Sequence, residues 1–275
     1  MYQLKESIHI ECDFIRGACF DDINEQYIIL NRKTDLVCIS YVNTNPLLVK
    51  RHDNNNLLFR DDTNNILVQP YTGFYIYTSY FNGICLHDSN SDCALVSNTL
   101  PISGRVSNVL CDNIGNIYCT NNLNYKQVVT CYDSMARYVS CFENYSFILK
   151  HIDKTTGYAY IYNRDDDNNK NIYMFKNIHG VTNYLQQPQR EKQMHVIPCP
   201  NYPCHVSSHM DHIYISDKDK IYIYDVRHLN KCIQIISEYH NTGFVINSNN
   251  QDLILIKDDS LLCNQYILYL YSLTF

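Results

Sequence analysis

The chain has 275 residues, a formal net charge of −6 and a hydrophobic fraction of 45%. That hydrophobic content excludes a disordered chain. The pI near 6.0 argues against a protein that coats nucleic acid, because such a protein needs a basic surface. We expect a single domain over residues 1–275, since this length suits one large domain.

The chain begins with a strand-like segment, Tyr2 to Ile10, that carries charges and lacks the apolar run of a signal peptide. The longest uncharged apolar runs, such as Tyr266 to Leu270, are too short to cross a bilayer. The 13 cysteines are an odd number in a long chain, and several lie inside apolar runs, which favours reduced thiols. We therefore expect a cytoplasmic protein without membrane insertion.

Short runs rich in β-branched and aromatic residues recur along the chain, whereas helical periodicity is almost absent. Polar turn clusters such as Asn31 to Asp35 and Ser216 to Lys220 separate these runs. The segment from Gly17 to Val42 shows the full strand–turn–strand rhythm. This pattern predicts an all-β fold, with no linker long enough to divide it.

Basic residues accumulate in this first part of the chain. Arg32 and Lys33 occupy the turn of the first predicted hairpin, and the same predicted repeat contains Arg16, Lys50 and Arg51. Cationic side chains contact phosphates, so these five residues are a candidate group for docking on RNA or a ribosome. The competing interpretation is a solvated rim, because acidic residues alternate with them: Asp13, Asp21, Asp22 and Asp35.

Six strand-like runs end in a two-residue pair whose first member is an aromatic residue or a histidine. The steps between the pairs are 46, 45, 43, 49 and 47 residues, and the pairs are Tyr41-Val42, His87-Asp88, Tyr132-Asp133, Phe175-Lys176, Tyr224-Asp225 and Tyr271-Ser272. A repeat of about this length, built from several short strands, is typical of β-propeller blades. Six blades fit best, and seven are the alternative because Leu57 to Val68 also resembles a complete hairpin.

The two ends of the chain suggest how such a ring closes. After the strand-like run around Tyr266 to Leu273, the chain stops at Phe275, which leaves no sequence for a fourth strand in the last blade. We expect the N-terminal strand, Tyr2 to Ile10, to pair into the last blade, because this pairing removes an exposed strand edge.

The densest cluster of potential metal ligands lies between residues 199 and 212. Tetrahedral zinc needs four nitrogen or sulfur ligands, and the weak candidates here are Cys199, Cys204, His205 and His209, with His212 beyond them. The spacing of the two cysteines differs from that of a zinc knuckle, and alternation along a strand sends neighbours to opposite faces. A Pro-rich connection between blades is the favoured interpretation.

Sequence motifs of catalysis are missing. The chain has no Gly-x-Ser-x-Gly, no phosphate-binding loop and no His-Glu-x-x-His. We therefore expect a protein that is not an enzyme and has no cofactor, and the residues identify no small-molecule substrate. An enzyme whose residues come from distant loops, or a zinc-dependent module, is kept as a further alternative.

The segment from Asp217 to Ile236 resembles a WD repeat. Tyr224-Asp225 stands where that family places its Trp-Asp pair, Lys231 to Ile236 matches the outer strand, and His240 falls near the family's Gly-His position. The run Val129 to Ser134 matches the same motif less well. Because the chain contains no Trp, the resemblance covers the whole chain by spacing but only one repeat by motif.

This resemblance implies a β-propeller that holds other proteins together in a larger assembly. Within the family, the chain is similar to the scaffold propellers of vesicle coats and nuclear pores, which share its predicted blade count. It is also similar to the ribosome-bound receptor for activated C kinase, which docks on the small subunit through basic residues of its first blade. By that second resemblance, Arg32 and Lys33 would contact ribosomal RNA.

Overall fold

The fold is described from a computed structural model of the chain. The structure describes residues 1–11, 15–31, 36–40, 48–52, 63–79, 83–88, 95–96, 106–123, 126–145, 147–163, 170–186, 195–237, 241–258 and 265–274.

These residues are mostly β-structure, as the sequence predicts, and the first half of the chain contains a single N-terminal strand followed by three sheets. The N-terminal strand is β1 (Tyr2–Glu11). Sheet 1 contains β2 (Ile15–Asp21), β3 (Gln26–Asn31), β4 (Leu36–Ser40) and β5 (Leu48–His52). Sheet 2 contains β6 (Thr63–Val68), β7 (Phe74–Ser79), β8 (Gly83–Asp88) and β9 (Leu95–Val96). Sheet 3 contains β10 (Val106–Cys111), β11 (Ile117–Leu123), β12 (Lys126–Tyr132) and β13 (Tyr138–Asn144).

The second half of the chain repeats this arrangement. Sheet 4 contains β14 (Phe147–Ile152), β15 (Ala159–Asn163), β16 (Ile172–Phe175) and β17 (His195–Ile197), with helix α1 (Ile178–Gln186) inserted before β17. Sheet 5 contains β18 (His205–His209), β19 (His212–Ser216), β20 (Ile221–Asp225) and β21 (Cys232–Ile236). Sheet 6 contains β22 (Asn241–Ile246), β23 (Leu253–Asp258) and β24 (Gln265–Leu273), and β1 is its fourth strand. Within each sheet, strands that follow one another in the chain are neighbours.

The pairing expected for the N-terminal strand is confirmed. Strand β1 runs antiparallel to β24 from Tyr2 opposite Leu273 to Glu11 opposite Gln265, with one register shift between Leu4 and Glu6. The terminal amino group adds a hydrogen bond of 2.6 Å to the carbonyl of Thr274. Sheet 6 is therefore built from both ends of the sequence.

Two compact units are present, residues 1–109 with 242–275 and residues 110–241. Sheets 1, 2 and 6 belong to the first unit. Sheets 4 and 5 and most of sheet 3 belong to the second unit. The single domain expected from the length stays a prediction.

Inside each unit, neighbouring sheets bury apolar faces against each other. In the first unit, Phe20 and Tyr27 of sheet 1 share a core with Ile254 and Leu268 of sheet 6. In the second unit, residues of sheets 4 and 5 form a common core that includes Tyr160, Ile172, Met174, Ile213, Ile215 and Tyr222. Middle strands such as β15 and β23 are covered on both faces, which explains their continuous apolar sequences.

Helix α1 is the element that the sequence pattern did not predict. Asn177 accepts the backbone N–H of Gly180 at 2.9 Å, so it caps the helix N-terminus. Ile178 and Val181 bury their side chains in the core of sheets 3 and 4. A helix this short, with two core contacts, gives too weak a periodic signal to detect in a β-rich chain.

Five of the six predicted pairs lie within two residues of the end of the third strand of a sheet, in β8, β12, β16, β20 and β24. Tyr41-Val42 lies outside the described residues, as do Leu57 to Asp62, on which the seven-blade alternative depends. His240, the residue near the Gly-His position, also lies outside them. No helix among the described residues has both the length and the hydropathy that a membrane span requires.

Candidate interaction face at the first-hairpin turns

One polar residue is buried at the same place in each of the six sheets, at or just after the end of the first strand. This place is where the chain turns into the second strand, and we call the six connections the first-hairpin turns. The buried residues are Asp21, Gln69, Asp112, Asp153, His209 and Asn247.

The buried side chain organises the turn in at least four of the six cases. Its Oδ1 atom accepts the backbone N–H of the residue two positions further on, at 3.0 Å from Ile23, 3.0 Å from Ile114, 2.8 Å from Thr155 and 2.8 Å from Asn249. Such a bond pairs a backbone donor that the tight turn leaves without a strand partner. The acid or amide at this position is therefore explained by turn geometry.

Each first-hairpin turn also contains a residue with positive φ. Glycine supplies it in three turns, at Gly73, Gly115 and Gly157, whereas Glu25, Met210 and Gln251 supply it in the others. The left-handed conformation costs a non-glycine residue free energy, so the surrounding hydrogen bonds must compensate for it. The same backbone shape is therefore built from different residue types.

In the first unit, side-chain hydrogen bonds connect the turns of neighbouring sheets. Asn249 Nδ2 in sheet 6 donates to Glu25 Oε1 in sheet 1 at 3.3 Å. Tyr75 of sheet 2 donates its hydroxyl to Asp21 Oδ2 of sheet 1 at 3.0 Å, and Gln26 Nε2 donates to the same hydroxyl at 3.1 Å. The turns of sheets 6, 1 and 2 therefore form one continuous row.

In the second unit, the turns of sheets 3, 4 and 5 are in contact as well. A Cβ atom placed on Gly157 of sheet 4 would stand 2.6 Å from Asn113 Oδ1 of sheet 3, so any side chain at this position would require Asn113 to move. Ser208 of sheet 5 donates its hydroxyl to Asp153 Oδ2 of sheet 4. These three turns form a second continuous row.

Ser208, Asp153 and His151 resemble a catalytic triad in composition only. His151 Nε2 accepts the backbone N–H of Ser208 at 3.2 Å and lies 3.1 Å from its hydroxyl oxygen, while Asp153 binds that hydroxyl directly. In a hydrolase triad, histidine stands between serine and the acid. Burial also lowers the pKa of His151 to about 4, which makes it a poor base at neutral pH. The geometry is that of a polar link between two sheets.

The tips of the turns present apolar side chains to solvent. Ile23 and Tyr71 are 51% and 83% exposed in the first row, and Ile114 and Met210 are 66% and 54% exposed in the second. Met135, in the third hairpin of sheet 3, is also exposed, and its N–H is held by Asp133 Oδ1 at 2.9 Å. First and third hairpins of an antiparallel sheet turn at the same end, so Met135 and Ile114 lie at the same end of sheet 3.

Three of the five basic residues predicted from the sequence lie on described strands of sheet 1. Arg16 belongs to β2, whereas Lys50 and Arg51 belong to β5, and β3 and β4 lie between them. Neighbouring strands lie about 4.8 Å apart, so the backbones of β2 and β5 are separated by on the order of 14 Å. Arg32 and Lys33 lie outside the described residues.

The predicted metal ligands are spread over one connection and one hairpin. Cys199 precedes β18 and contacts the carbonyl of Ile197 at 3.7 Å, Cys204 and His205 enter β18, and His209 pairs with His212 across the hairpin. The described residues, which include all five, contain no group of three or more His, Cys, Asp or Glu side chains that could hold a metal ion. The zinc hypothesis therefore gains no support.

The chain matches no family model, and no curated protein matches it significantly. Sequence reasoning missed the first-hairpin turns because their buried residue varies among Asp, Asn, Gln and His. The one signal that could have shown them is a Tyr six residues after the buried residue at positions 27, 75 and 118.

Proposed function

We propose that the six sheets are the blades of a closed β-propeller of degenerate WD-repeat type, which acts as a non-catalytic scaffold and binds other proteins through its first-hairpin turns. Two observations favour the propeller: all six sheets share one strand order, and β1 completes sheet 6. In a ring, this shared sheet would join the first blade to the last and leave no open blade between them.

The observation that carries the binding function is the exposure of apolar side chains on rigid turns. Turn tips are normally polar, yet Ile23, Tyr71, Ile114 and Met210 project large apolar groups into water. Asp21 and Asp112 accept hydrogen bonds from backbone N–H groups and so hold two of these turns in a fixed shape. A partner would therefore bury apolar area with little loss of conformational entropy.

The experiment compares two double variants, Ile23→Ser with Tyr71→Ser and Ile114→Ser with Met210→Ser, in affinity purification from the native cell with quantitative identification of partners. We expect at least one double variant to recover about tenfold less of one partner than the wild type does. Leu4→Ser is the control, since Leu4 is similarly exposed but lies on β1. An unchanged set of partners in both double variants would contradict the proposal.

A second candidate function is docking on ribosomal RNA through the first sheet. The observation that favours it is that β5, the last strand of sheet 1, carries two basic residues, Lys50 and Arg51. Replacing both residues by Glu should reduce co-sedimentation with ribosomes and weaken its salt dependence, because phosphate contacts release counterions. Replacing Arg32 and Lys33 by Glu tests the rest of the predicted group. Unchanged co-sedimentation in both variants would exclude this function.

A further inference from the structure

The first row of first-hairpin turns, which belongs to sheets 6, 1 and 2, carries an excess of negative charge. Its carboxylates are those of Asp21, Asp22, Glu25 and Asp252. None of the described residues in these three turns is Lys or Arg. The connections that follow third strands turn at the same end of a sheet, and residues 41–47 and 89–94 contain no Lys or Arg either. Met1 contributes its terminal amino group at this end, where it donates to the carbonyl of Thr274 at 2.6 Å.

The second row, in sheets 3, 4 and 5, does not share this imbalance. The first-hairpin turns and third-strand connections of these sheets carry both signs of charge, with Lys154, Lys176, Arg137 and Arg227 alongside Asp133, Asp211 and Asp225. Two of these acids form ion pairs inside their own turns, Asp133 with Arg137 at 2.7 Å and Asp225 with Arg227 at 2.8 Å. The excess of negative charge is therefore a property of the first row and not of these turns in general.

Two of the first-row carboxylates are buried and are held by neutral groups. Asp21 accepts hydrogen bonds from two backbone N–H groups of its own turn, from Asn24 Nδ2 and from the hydroxyl of Tyr75. Asp252 Oδ2 accepts Asn250 Nδ2 at 2.9 Å. Among the described residues, no Lys or Arg forms an ion pair with either carboxylate. A buried charge without a counter-ion is weakly screened, so both carboxylates add to the negative potential at the surface above them.

The exposed side chains of Ile23 and Tyr71 belong to the same row as these charges. Ile23 lies between Asp22 and Glu25 in the turn of sheet 1, so carboxylates flank its apolar side chain in the sequence. Tyr71 forms the tip of the neighbouring turn in sheet 2 and is 83% exposed. The face of an exposed aromatic ring attracts a guanidinium or ammonium group. Carboxylates, an aromatic ring and an aliphatic side chain together fit a ligand that is both cationic and apolar.

We infer that the first row binds a segment of a partner protein in which arginine or lysine residues alternate with apolar residues. This inference rests on the proposed function and names the chemistry of the partner that the first row recognises. Arginine suits the row better than lysine, since its planar guanidinium pairs with carboxylates in a bidentate manner and stacks on aromatic rings. The phosphate groups of nucleic acids and of anionic membranes are repelled by the same carboxylates.

A fluorescently labelled peptide of alternating arginine and leucine residues tests the inference by fluorescence anisotropy with the full chain. We expect it to bind with an affinity that falls as salt screens the charges, whereas a peptide with glutamate in place of each arginine should not bind. Glu25→Lys reverses an exposed charge in the middle sheet of the row and should weaken binding about tenfold. Glu25→Gln should weaken it about threefold, because glutamine keeps an acceptor for Asn249 Nδ2 and removes only the charge.

Glu6→Lys is the matched control, because Glu6 is an exposed acid on β1 in the same unit and its replacement changes the net charge equally. We expect this variant to bind the arginine peptide like the wild type. Equal binding of the two peptides, or equal weakening by Glu25→Lys and Glu6→Lys, would overturn the inference. A chain that dimerises in sedimentation velocity and becomes monomeric in Glu25→Lys would assign the row to a second copy and overturn it as well.

The peptide measurement and the affinity purification fail in different ways. If Ile23→Ser with Tyr71→Ser loses a partner while Glu25→Lys binds the arginine peptide like the wild type, the proposed function stands and the basic partner is wrong. If Glu25→Lys loses the peptide while both double variants keep all their partners, the first row binds basic segments and the proposed function is wrong.

Discussion

The hydroxyl of Tyr75 donates a hydrogen bond to Asp21 Oδ2 at 3.0 Å and thereby joins sheet 2 to sheet 1. Both residues are buried, and Asp21 simultaneously closes its own turn through the N–H groups of Ile23 and Asn24. One carboxylate therefore serves a turn and a sheet-to-sheet contact. Ser208 and Asp153 form the corresponding contact between sheets 5 and 4.

The Tyr75–Asp21 contact predicts that removing the hydroxyl oxygen of Tyr75 lowers the stability of the fold. Tyr75→Phe deletes a hydrogen bond to a buried carboxylate and leaves Gln26 Nε2 without this acceptor. We expect the free energy of unfolding to fall by about 2 kcal/mol, measured by urea denaturation. Tyr71→Phe is the control, because Tyr71 is exposed and should give almost no change. Equal stability of the two variants would show that the contact contributes nothing.

The contact between Gly157 and Asn113 predicts that substitutions at these two positions have non-additive effects on the free energy of unfolding. In Gly157→Ala, the new Cβ would stand 2.6 Å from Asn113 Oδ1, and the residue would also keep a φ of +77°. We expect a loss of about 2 to 3 kcal/mol, from the clash and the left-handed conformation together. In an Asn113→Ala background the same change should cost only about 1 kcal/mol, because the φ penalty alone remains. Strictly additive effects would refute the close approach.

The lowered pKa of His151 makes the stability of the fold depend on pH. Burial lowers its pKa to about 4 in the folded chain, with the Asp153 carboxylate opposing this effect and Lys154 adding to it. The unfolded chain binds a proton near pH 6.5, so between about pH 6.5 and 4 it holds more protons than the folded chain. Stability therefore falls as the pH decreases through this window, by at most about 3 kcal/mol.

The variant His151→Gln isolates this contribution, because glutamine keeps an acceptor for the N–H of Ser208 but does not titrate. Urea denaturation of both proteins at a series of pH values gives the difference between their stabilities. We expect that difference to change between pH 6.5 and 4 and to stay constant above pH 7. Parallel curves throughout would mean that His151 titrates alike in the folded and unfolded chains.

The sequence predicted the strands and their spacing well, because burial on both faces of the middle strands requires short continuous apolar runs. The pair Tyr224-Asp225 and the pair Tyr132-Asp133 fall at the ends of third strands, since a turn must follow there whatever the residue types are. The predicted pairing of the N-terminal strand is found because a sheet edge such as β24 needs a partner.

The shared features of the first-hairpin turns were not predictable by the same reasoning. Its turns share a backbone conformation, yet His209 and Asn247 occupy the place of Asp21, and Met210 takes the left-handed conformation that Gly157 adopts elsewhere. Such equivalence is visible only once the strands are paired.

Strand β1 completes sheet 6 from the other end of the chain, so substitutions on this strand test how much it stabilises the sheet. Ile10 is 2% exposed and lies in the core shared by sheets 1 and 6, whereas Leu4 on the same strand is half-exposed. Ile10→Ala should lower the free energy of unfolding by about 3 kcal/mol, through lost burial and the cavity that remains. Leu4→Ala should change it by less than about 0.5 kcal/mol.

Removal of residues 1–11 extends the same test to the whole strand. It would expose the edge of β24 along a nine-residue strand that contains Tyr266, Leu268 and Leu270. We therefore expect the shortened chain to aggregate or to lose its cooperative thermal transition, since an open apolar edge recruits other strands. A shortened chain that stays soluble and melts at the wild-type temperature would show that sheet 6 is stable without its N-terminal strand, and would remove the main support for a closed ring.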